Sequence, residues 1–226
     1  MNKISCIIPA YNEEARIATI IQFAQEHSLV SEVIIVDDGS TDNTKKMVKV
    51  SDKVKLIIHE KNQGKSSAIC TGMKEASGNF IFLLDSDLIG LNEQNITDLI
   101  TPIIENKADV TISLRRNSPK LWHKIGFDYL SGERVFSKNL LIDKISEIKL
   151  LPRFGLEVFI NSVIIKNHCR IKIVQWPNVD SPFKIKKYGL WKGLKSDILM
   201  ILDIFKTISI IGPIYQIIRM NNLKIN

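Results

Sequence analysis

The sequence has few of the residues that build disulfide scaffolds or zinc sites. Its 226 residues include three cysteines and four histidines. The cysteines, Cys6, Cys70 and Cys169, are odd in number and far apart, and the histidines form no ligand pattern. These features argue against a disulfide framework and against a zinc site, and they make a reducing cytosol the expected setting.

Linkers, repeats and targeting signals are also scarce. The chain has no internal repeat and no Gly/Ser linker, which predicts one domain over residues 1–195 and an apolar tail over 196–226. No signal peptide is expected, because the apolar N-terminal run stops at Pro9 and acidic residues follow. The lysines are scattered, so the net charge of +7 favours nucleotide phosphates or an anionic membrane surface over nucleic acid.

Short β-branched runs alternate with helix-like stretches through the first half. Strands are predicted near 4–9, 33–37, 54–58, 80–85 and 109–114, and helices near 14–26, 42–50, 66–76 and 93–105. This alternation predicts an α/β fold with a mostly parallel sheet. Further on, we expect helices over 127–141 and 156–167 and a strand over 170–176.

Two carboxylates follow an apolar predicted strand. The run from Phe80 to Leu84 leads directly into Asp85, Ser86 and Asp87. Residues i and i+2 of an extended chain point to the same side, so both acids can aim at one point. A divalent cation such as Mg²⁺ or Mn²⁺ would relieve their repulsion. The alternative is a solvated turn.

Two further polar segments follow predicted strands. Pro9 to Glu14 comes after the first strand, and Asp37 to Asp42 comes after the second. In parallel sheets, ligands bind outside the carboxyl ends of the strands. All three clusters are therefore expected to converge on one crevice.

The segments together resemble a known enzyme family. Ile-Pro-Ala-Tyr-Asn-Glu-Glu at 8–14, Val-Asp-Asp-Gly-Ser-Thr-Asp at 36–42, Asn-Gln-Gly-Lys at 62–65 and the Asp-Ser-Asp triplet at 85–87 resemble the successive signatures of family 2 glycosyltransferases with a GT-A fold. In the second half, 131–134 and 154–157 are similar to acceptor-side elements of bacterial members, glucosyl-3-phosphoglycerate synthases among them. The resemblance implies a donor half over 1–114 and an acceptor half over 115–195.

The resemblance implies metal-dependent transfer of a sugar from a nucleotide-diphospho-sugar to a hydroxyl or phosphate acceptor. Asp87 would be the principal ligand of Mg²⁺ or Mn²⁺, and Asp85 would hold the ribose or the ion's water shell, beside Ser86. Lys65 begins a helix and suits phosphate, although a surface lysine with Ser66 as N-cap is an alternative. The stretch is not a P-loop, because His59 stands where that motif needs glycine.

The family pattern also implies a site for the base and ribose. It includes Pro9, Tyr11, Glu13 and Asp38. Tyr11 can stack on a pyrimidine, and Asp38 can accept the uracil N3–H, which favours a UDP-sugar. Alternatively, Asp38 caps the following helix and Glu13 complements a helix dipole.

Acceptor-side roles fall on later residues. Glu157 matches the position of the general base, with N-terminal helix charge as an equal alternative. Asp180 stands where relatives often supply a later metal ligand. Arg115, Arg134 and Gly155 would contact an anionic acceptor, and solvated surface arginines are the alternative.

The C-terminal tail supports a peripheral membrane role. Residues 198–218 are apolar, but they carry Asp203 and Lys206 and are broken by Gly212-Pro213, so a spanning helix is not expected. A lysine-rich stretch precedes them, which is typical of an interfacial segment. A core-covering or dimer-forming helix pair is the alternative.

Two other function classes are open. A sugar nucleotidyltransferase would need a glycine-rich basic loop after the first strand, where this chain has Ala10 to Glu14. A catalytically silent nucleotide-binding scaffold would not need both Asp85 and Asp87.

Overall fold

The computed structural model describes residues 2–152, 155–182, 202–209 and 211–225. The strands are β1 Ile4–Ala10, β2 Glu32–Asp37, β3 Val54–Ile58, β4 Phe80–Leu83, β5 Val110–Arg115, β6 Arg134–Ser137 and β7 Ile171–Trp176. The helices are α1 Ile17–Glu26, α2 Thr44–Met47, α3 Lys65–Glu75, α4 Glu93–Ile104, α5 Lys120–Ile125, α6 Ile145–Lys149, α7 Leu156–Lys166 and α8 Gly212–Leu223. Residues 202–207 are also helical.

The strands form one sheet in the order β3-β2-β1-β4-β6-β5-β7. Every pairing is parallel except those of β6, which runs antiparallel to both β4 and β5. The predicted α/β fold with a mostly parallel sheet is therefore confirmed. Its parallel half, β3-β2-β1-β4, places the ends of β1, β2 and β4 at one edge.

The predicted helix over 127–141 is wrong. This stretch contains β6 and, after it, a 3₁₀ turn over Lys138–Leu140. Val135 and Phe136 are fully buried, and the backbone of β6 bonds to a strand on each side. Tertiary pairing thus overrides a local composition that favours helix. The predicted helix over 42–50 is also shorter, since α2 covers only Thr44–Met47.

Apolar layers cover both faces of the sheet. Along β1, Ile7 faces α3 while Ile4 and Ile8 belong to the opposite layer, beside residues of α1 and α4. Such alternation places successive side chains in different layers. Because both faces are covered, the central strands are nearly continuous apolar runs.

The C-terminal helix α8 packs on α7. The buried amide of Gln216 donates to the carbonyl of Val158 and accepts from the hydroxyl of Tyr129 at 2.6 Å. Beyond α8, Lys224 forms a parallel bridge with Ile171 of β7. The lysine-rich stretch before residue 198 lies outside the described residues. Among those described, no helix combines the length and apolar character needed to cross a membrane.

Close packing of α3 on β1 leaves no room for a side chain at Gly72. A Cβ built at Gly72 would lie 2.5 Å from Cγ2 of Ile7, a buried β-branched side chain that cannot move aside. We expect Gly72→Ala to lower the free energy of unfolding by about 1–3 kcal/mol, because overpacking outweighs the gain of about 1 kcal/mol in helix propensity. Urea denaturation would measure this.

The matched control is Lys74→Ala, an exposed change on the same helix. It should shift stability by less than about 0.5 kcal/mol. A Gly72→Ala protein as stable as the wild type would contradict this packing argument.

Candidate active site

The loops after β1 and β2 are tied together by hydrogen bonds. The Asn12 N–H donates to Oγ of Ser40, and Oδ1 of Asn12 accepts the Thr41 N–H, both at 2.9 Å. The Glu13 N–H donates to Oγ1 of Thr44 at 2.7 Å. Asn12 adopts a left-handed backbone with φ of 57°. The first two polar segments therefore form one unit at the edge of the sheet.

This unit carries the residues predicted to hold the base. Tyr11 is 40% exposed, which leaves its ring available for stacking. Pro9 is the penultimate residue of β1, and Glu13 is buried and pairs with Arg16 at 3.6 Å. The predicted contacts of Pro9, Tyr11 and Glu13 with a nucleotide stay predictions.

Asp38 links the second loop to the loop before α3. Its carboxylate accepts the N–H groups of Gln63 at 3.0 Å and Gly64 at 2.7 Å, and Nδ1 of His59 lies 2.7 Å from Oδ1. The alternative role of capping α2 is not observed, because no side chain caps that helix. Asp38 thus fixes the turn that presents Lys65.

Lys65 bridges two carboxylates from different elements. Its Nζ lies 2.7 Å from Oδ1 of Asp85, after β4, and 3.1 Å from Oε1 of Glu157, in the first turn of α7. Burial lowers the pKa of Lys65, but the charges of Asp85 and Glu157 outweigh it and raise the pKa overall. Burial likewise raises the pKa of Asp85, whereas Lys65 and Arg115 together hold it below its usual range. Both groups of the Lys65–Asp85 pair are therefore charged at neutral pH.

Gly132 lies directly against this bridge. A Cβ at Gly132 would be 2.7 Å from both Nζ of Lys65 and Oδ2 of Asp85. Only a residue without a side chain leaves room for the ion pair. Ser86 beside it is buried, and Asp87 is partly exposed.

A network of buried charged side chains lies on the interior side of the site. The fully buried Glu133 accepts from Nη1 of Arg115 at 3.1 Å and from the hydroxyls of Ser113 at 2.7 Å and Ser131 at 2.9 Å. Arg115 also pairs with Asp128 at 3.5 Å. Burial raises the pKa of Glu133, and the nearby Arg115 only partly offsets this.

Sequence reasoning gave Glu133 and Asp128 no role. The signal that could have found Glu133 is its place beside Gly132 in the acceptor-side segment 131–134. The sequence pattern predicts a helix over 127–141, and such a helix would not place Glu133 beside β5.

Two predicted site residues are bound by other parts of the chain. Arg134 is fully buried, and its guanidinium donates to Oδ1 of Asn161 and to backbone carbonyls of Tyr129 and Ser131. The prediction that Arg134 contacts an acceptor is therefore wrong. Asp180 is bridged to Ile89, two residues after Asp87, and its carboxylate is bound by the guanidinium of Arg116, so its role as a metal ligand stays a prediction.

Arg115 and Gly155 are less exposed than an acceptor-binding role suggests. Arg115 is engaged by Glu133 and Asp128, although its Nε is buried without a partner. Gly155 packs against the hydroxyl of Thr207, so a side chain there would clash. Their contacts with an acceptor stay predictions.

The donor set fits a divalent cation shared with a substrate. Within the described ranges, no group of three or more His, Cys, Asp or Glu side chains is gathered. Asp85 and Asp87 can supply carboxylate oxygens, which Mg²⁺ and Mn²⁺ prefer. Mg²⁺ is commonly held by one or two carboxylates and completed by phosphate oxygens, which matches this set.

Comparison with known proteins identifies the family. Residues 5–157 match the family model described as Glycosyl transferase family 2. The chain belongs to this family. It is 34% identical over 140 residues to the undecaprenyl-phosphate 4-deoxy-4-formamido-L-arabinose transferase of Proteus mirabilis, covering 55% of this chain and 40% of that protein. It therefore spans less than half the length of that relative.

Another relative is covered more fully. Over 180 residues the family 2 chain is 32% identical to the UDP-N-acetylglucosamine–dolichyl-phosphate N-acetylglucosaminyltransferase of Methanococcus voltae, covering 61% of this chain and 70% of that protein. A solved structure, glucosyl-3-phosphoglycerate synthase from Mycobacterium tuberculosis with Mn²⁺, UDP and glucosyl-3-phosphoglycerate, matches with a TM-score of 0.70 at 23% identity. That match covers 91% of this chain and 80% of the other, and the fold is GT-A.

The buried network predicts a large loss of stability when Glu133 is removed. Glu133→Ala would leave the Arg115 guanidinium buried beside Asp128 alone and would strip two hydroxyls of their acceptor. Breaking a buried pair in this way costs about 3–5 kcal/mol. Chemical denaturation would measure the loss, with the exposed change Glu60→Ala as control. A Glu133→Ala protein within about 1 kcal/mol of the wild type would contradict the network's role.

Proposed function

We propose that this family 2 glycosyltransferase uses Mg²⁺ or Mn²⁺ to move a sugar from a UDP-sugar to a phosphate-bearing acceptor. The observation that carries the proposal is the Lys65 bridge between Asp85 and Glu157. It joins a carboxylate on the proposed donor side to the proposed base on the acceptor side.

On the donor side, the reaction builds negative charge on the leaving diphosphate. A divalent ion held by Asp87 and Asp85 would neutralise that charge as a Lewis acid. Lys65 is charged and lies at the start of α3, where it can also approach a phosphate. Ser86 and the first-loop residues Pro9, Tyr11 and Glu13 are proposed to hold the nucleoside.

On the acceptor side, Glu157 is the proposed general base. Its side chain is 13% exposed, and Lys65 lies 3.1 Å away. The ammonium fixes the orientation of the carboxylate, which a base needs in order to accept a hydroxyl proton. Glu157 lies in the first turn of α7, so the helix also fixes its position.

The acceptor is proposed to be anionic, either lipid-linked or small. The Proteus mirabilis and Methanococcus voltae relatives are named for undecaprenyl-phosphate and dolichyl-phosphate, and the solved neighbour carries a phosphoglycerate product. The partly exposed side chain of Arg115 is the proposed contact, and Gly155 lies close in sequence to Glu157. We place the donor half at 1–114, the acceptor half at 115–195 and the enzyme in the cytoplasm, at the membrane.

The metal role predicts that Asp87 is essential for transfer. Asp87→Ala should lower the rate on the order of 10²-fold or more, because the leaving-group charge loses its counter-ion, and EDTA should have the same effect on the wild type. Release of free UDP from a panel of nucleotide-sugars would measure both. The exposed change Asp98→Ala is the control. Full activity in EDTA would contradict the proposed role of the metal ion.

The same panel separates the alternatives. Free nucleoside diphosphate supports a glycosyltransferase, pyrophosphate exchange supports a nucleotidyltransferase, and binding without turnover supports a silent scaffold. Thermal shifts with UDP-, GDP- and CDP-sugars would report the donor class.

Base recognition predicts that UDP binds better than GDP and that Asp38→Ala weakens UDP more than inorganic pyrophosphate. Asp38 also holds the Gln63–Gly64 turn before Lys65, so the two roles give different results. A base contact affects UDP alone, whereas a turn that positions only Lys65 affects both ligands equally. Calorimetry with both ligands decides between them, and equal losses would reject base recognition.

A further inference from the structure

A second cavity lies away from the candidate active site. It has a volume of about 530 Å³ and lies between the C-terminal half of α7, the segment before α8, and α8 itself. Glu157 and Lys166 are nine residues apart on α7, which corresponds to roughly 13 Å along the helix. None of the proposed donor or acceptor residues lines this cavity. It is therefore a separate feature of the described chain.

The lining of this cavity is basic on one side and apolar on the other. Lys166, His168 and Arg219 supply the basic groups, and Ile165 and Ile208 are among the apolar ones. No described lining residue is acidic. We call it the basic cavity. Its chemistry suits a phosphate group attached to an apolar chain.

An exposed apolar ridge borders the basic cavity. Ile211, Ile214 and Ile218 are 72%, 62% and 56% exposed and recur at helical spacing along one face of α8. Tyr215 belongs to this ridge and also lines the cavity, and Arg219 lies one turn after it. An exposed apolar face beside basic groups is typical of a helix that lies at a membrane interface.

We propose that α8 docks on an anionic phospholipid surface, with lipid phosphate in the basic cavity and the ridge in the acyl boundary. The charge pattern favours this occupant over a protein partner, because the cationic groups lie beside the apolar ridge where lipid phosphates would meet them. The opposite face of α8 is already occupied, since Gln216 and Met220 are buried against the domain. Docking this helix would hold the domain at a membrane surface independently of donor binding.

Flotation of the full-length protein with vesicles tests the proposal. The wild type should float with phosphatidylcholine vesicles that contain phosphatidylglycerol and remain behind with phosphatidylcholine alone. Lys166→Glu/Arg219→Glu should lower the partition coefficient on the order of 30-fold or more, since each basic residue near such a surface contributes about fivefold. Ile214→Ser/Ile218→Ser should also reduce flotation.

The matched control is Lys45→Glu/Lys46→Glu, which makes the same charge change on two exposed lysines of α2. It should float like the wild type. Circular dichroism and thermal melting check that every variant keeps its fold. Calorimetry with UDP and Mn²⁺ is measured separately, and a protein that binds no UDP but floats as described overturns the proposed function alone.

Three outcomes overturn the docking proposal. The first is equal flotation of the cavity variant and its control. The second is that inorganic phosphate releases the protein from the vesicles more strongly than chloride does at equal ionic strength, which assigns the cavity to a free anion. The third is a wild-type dimer that ignores vesicles and dissociates in Ile214→Ser/Ile218→Ser, which assigns the ridge to a second copy of the chain.

Discussion

The ion pairs of the Lys65 ammonium hold together three elements that are distant in sequence. They connect the start of α3, the end of β4 and the first turn of α7, through Asp85 and Glu157. Without this cation, two carboxylates would repel each other at the same edge of the sheet. Gly132 has no side chain because the bridge occupies that space. The geometry of both halves of the site therefore depends on one side chain.

A second set of charges supports the first from inside the domain. Arg115 stands between Glu133 and Asp128, and it also lowers the pKa of Asp85. Buried charges are costly unless each is paired and hydrogen-bonded, and here the hydroxyls of Ser113 and Ser131 complete the coordination of Glu133. The site thus combines a partly exposed layer that can meet substrates with a buried layer that fixes its shape.

The local sequence was sufficient for the parallel half of the fold. The strands and helices beside Asp38, Lys65 and Asp85 follow from strong alternating and helical patterns. Turn residues, such as those at 37–42, mark where these elements end. The local sequence was not sufficient for β6, whose four residues form a strand only because β4 and β5 bond to both edges. The error at Arg134 has the same origin, since its burial is set by tertiary contacts.

The position of β6 also governs the order in which the sheet can be completed. β6 follows β5 in the chain but lies between β4 and β5. While the chain emerges from the ribosome, the outer edge of β4 has no partner until residue 137 has been made. An unpaired apolar edge of this kind is exposed to intermolecular pairing. The outer edge of β4 is therefore the last edge of the central strands to be paired, after both β5 and β6 have been synthesised.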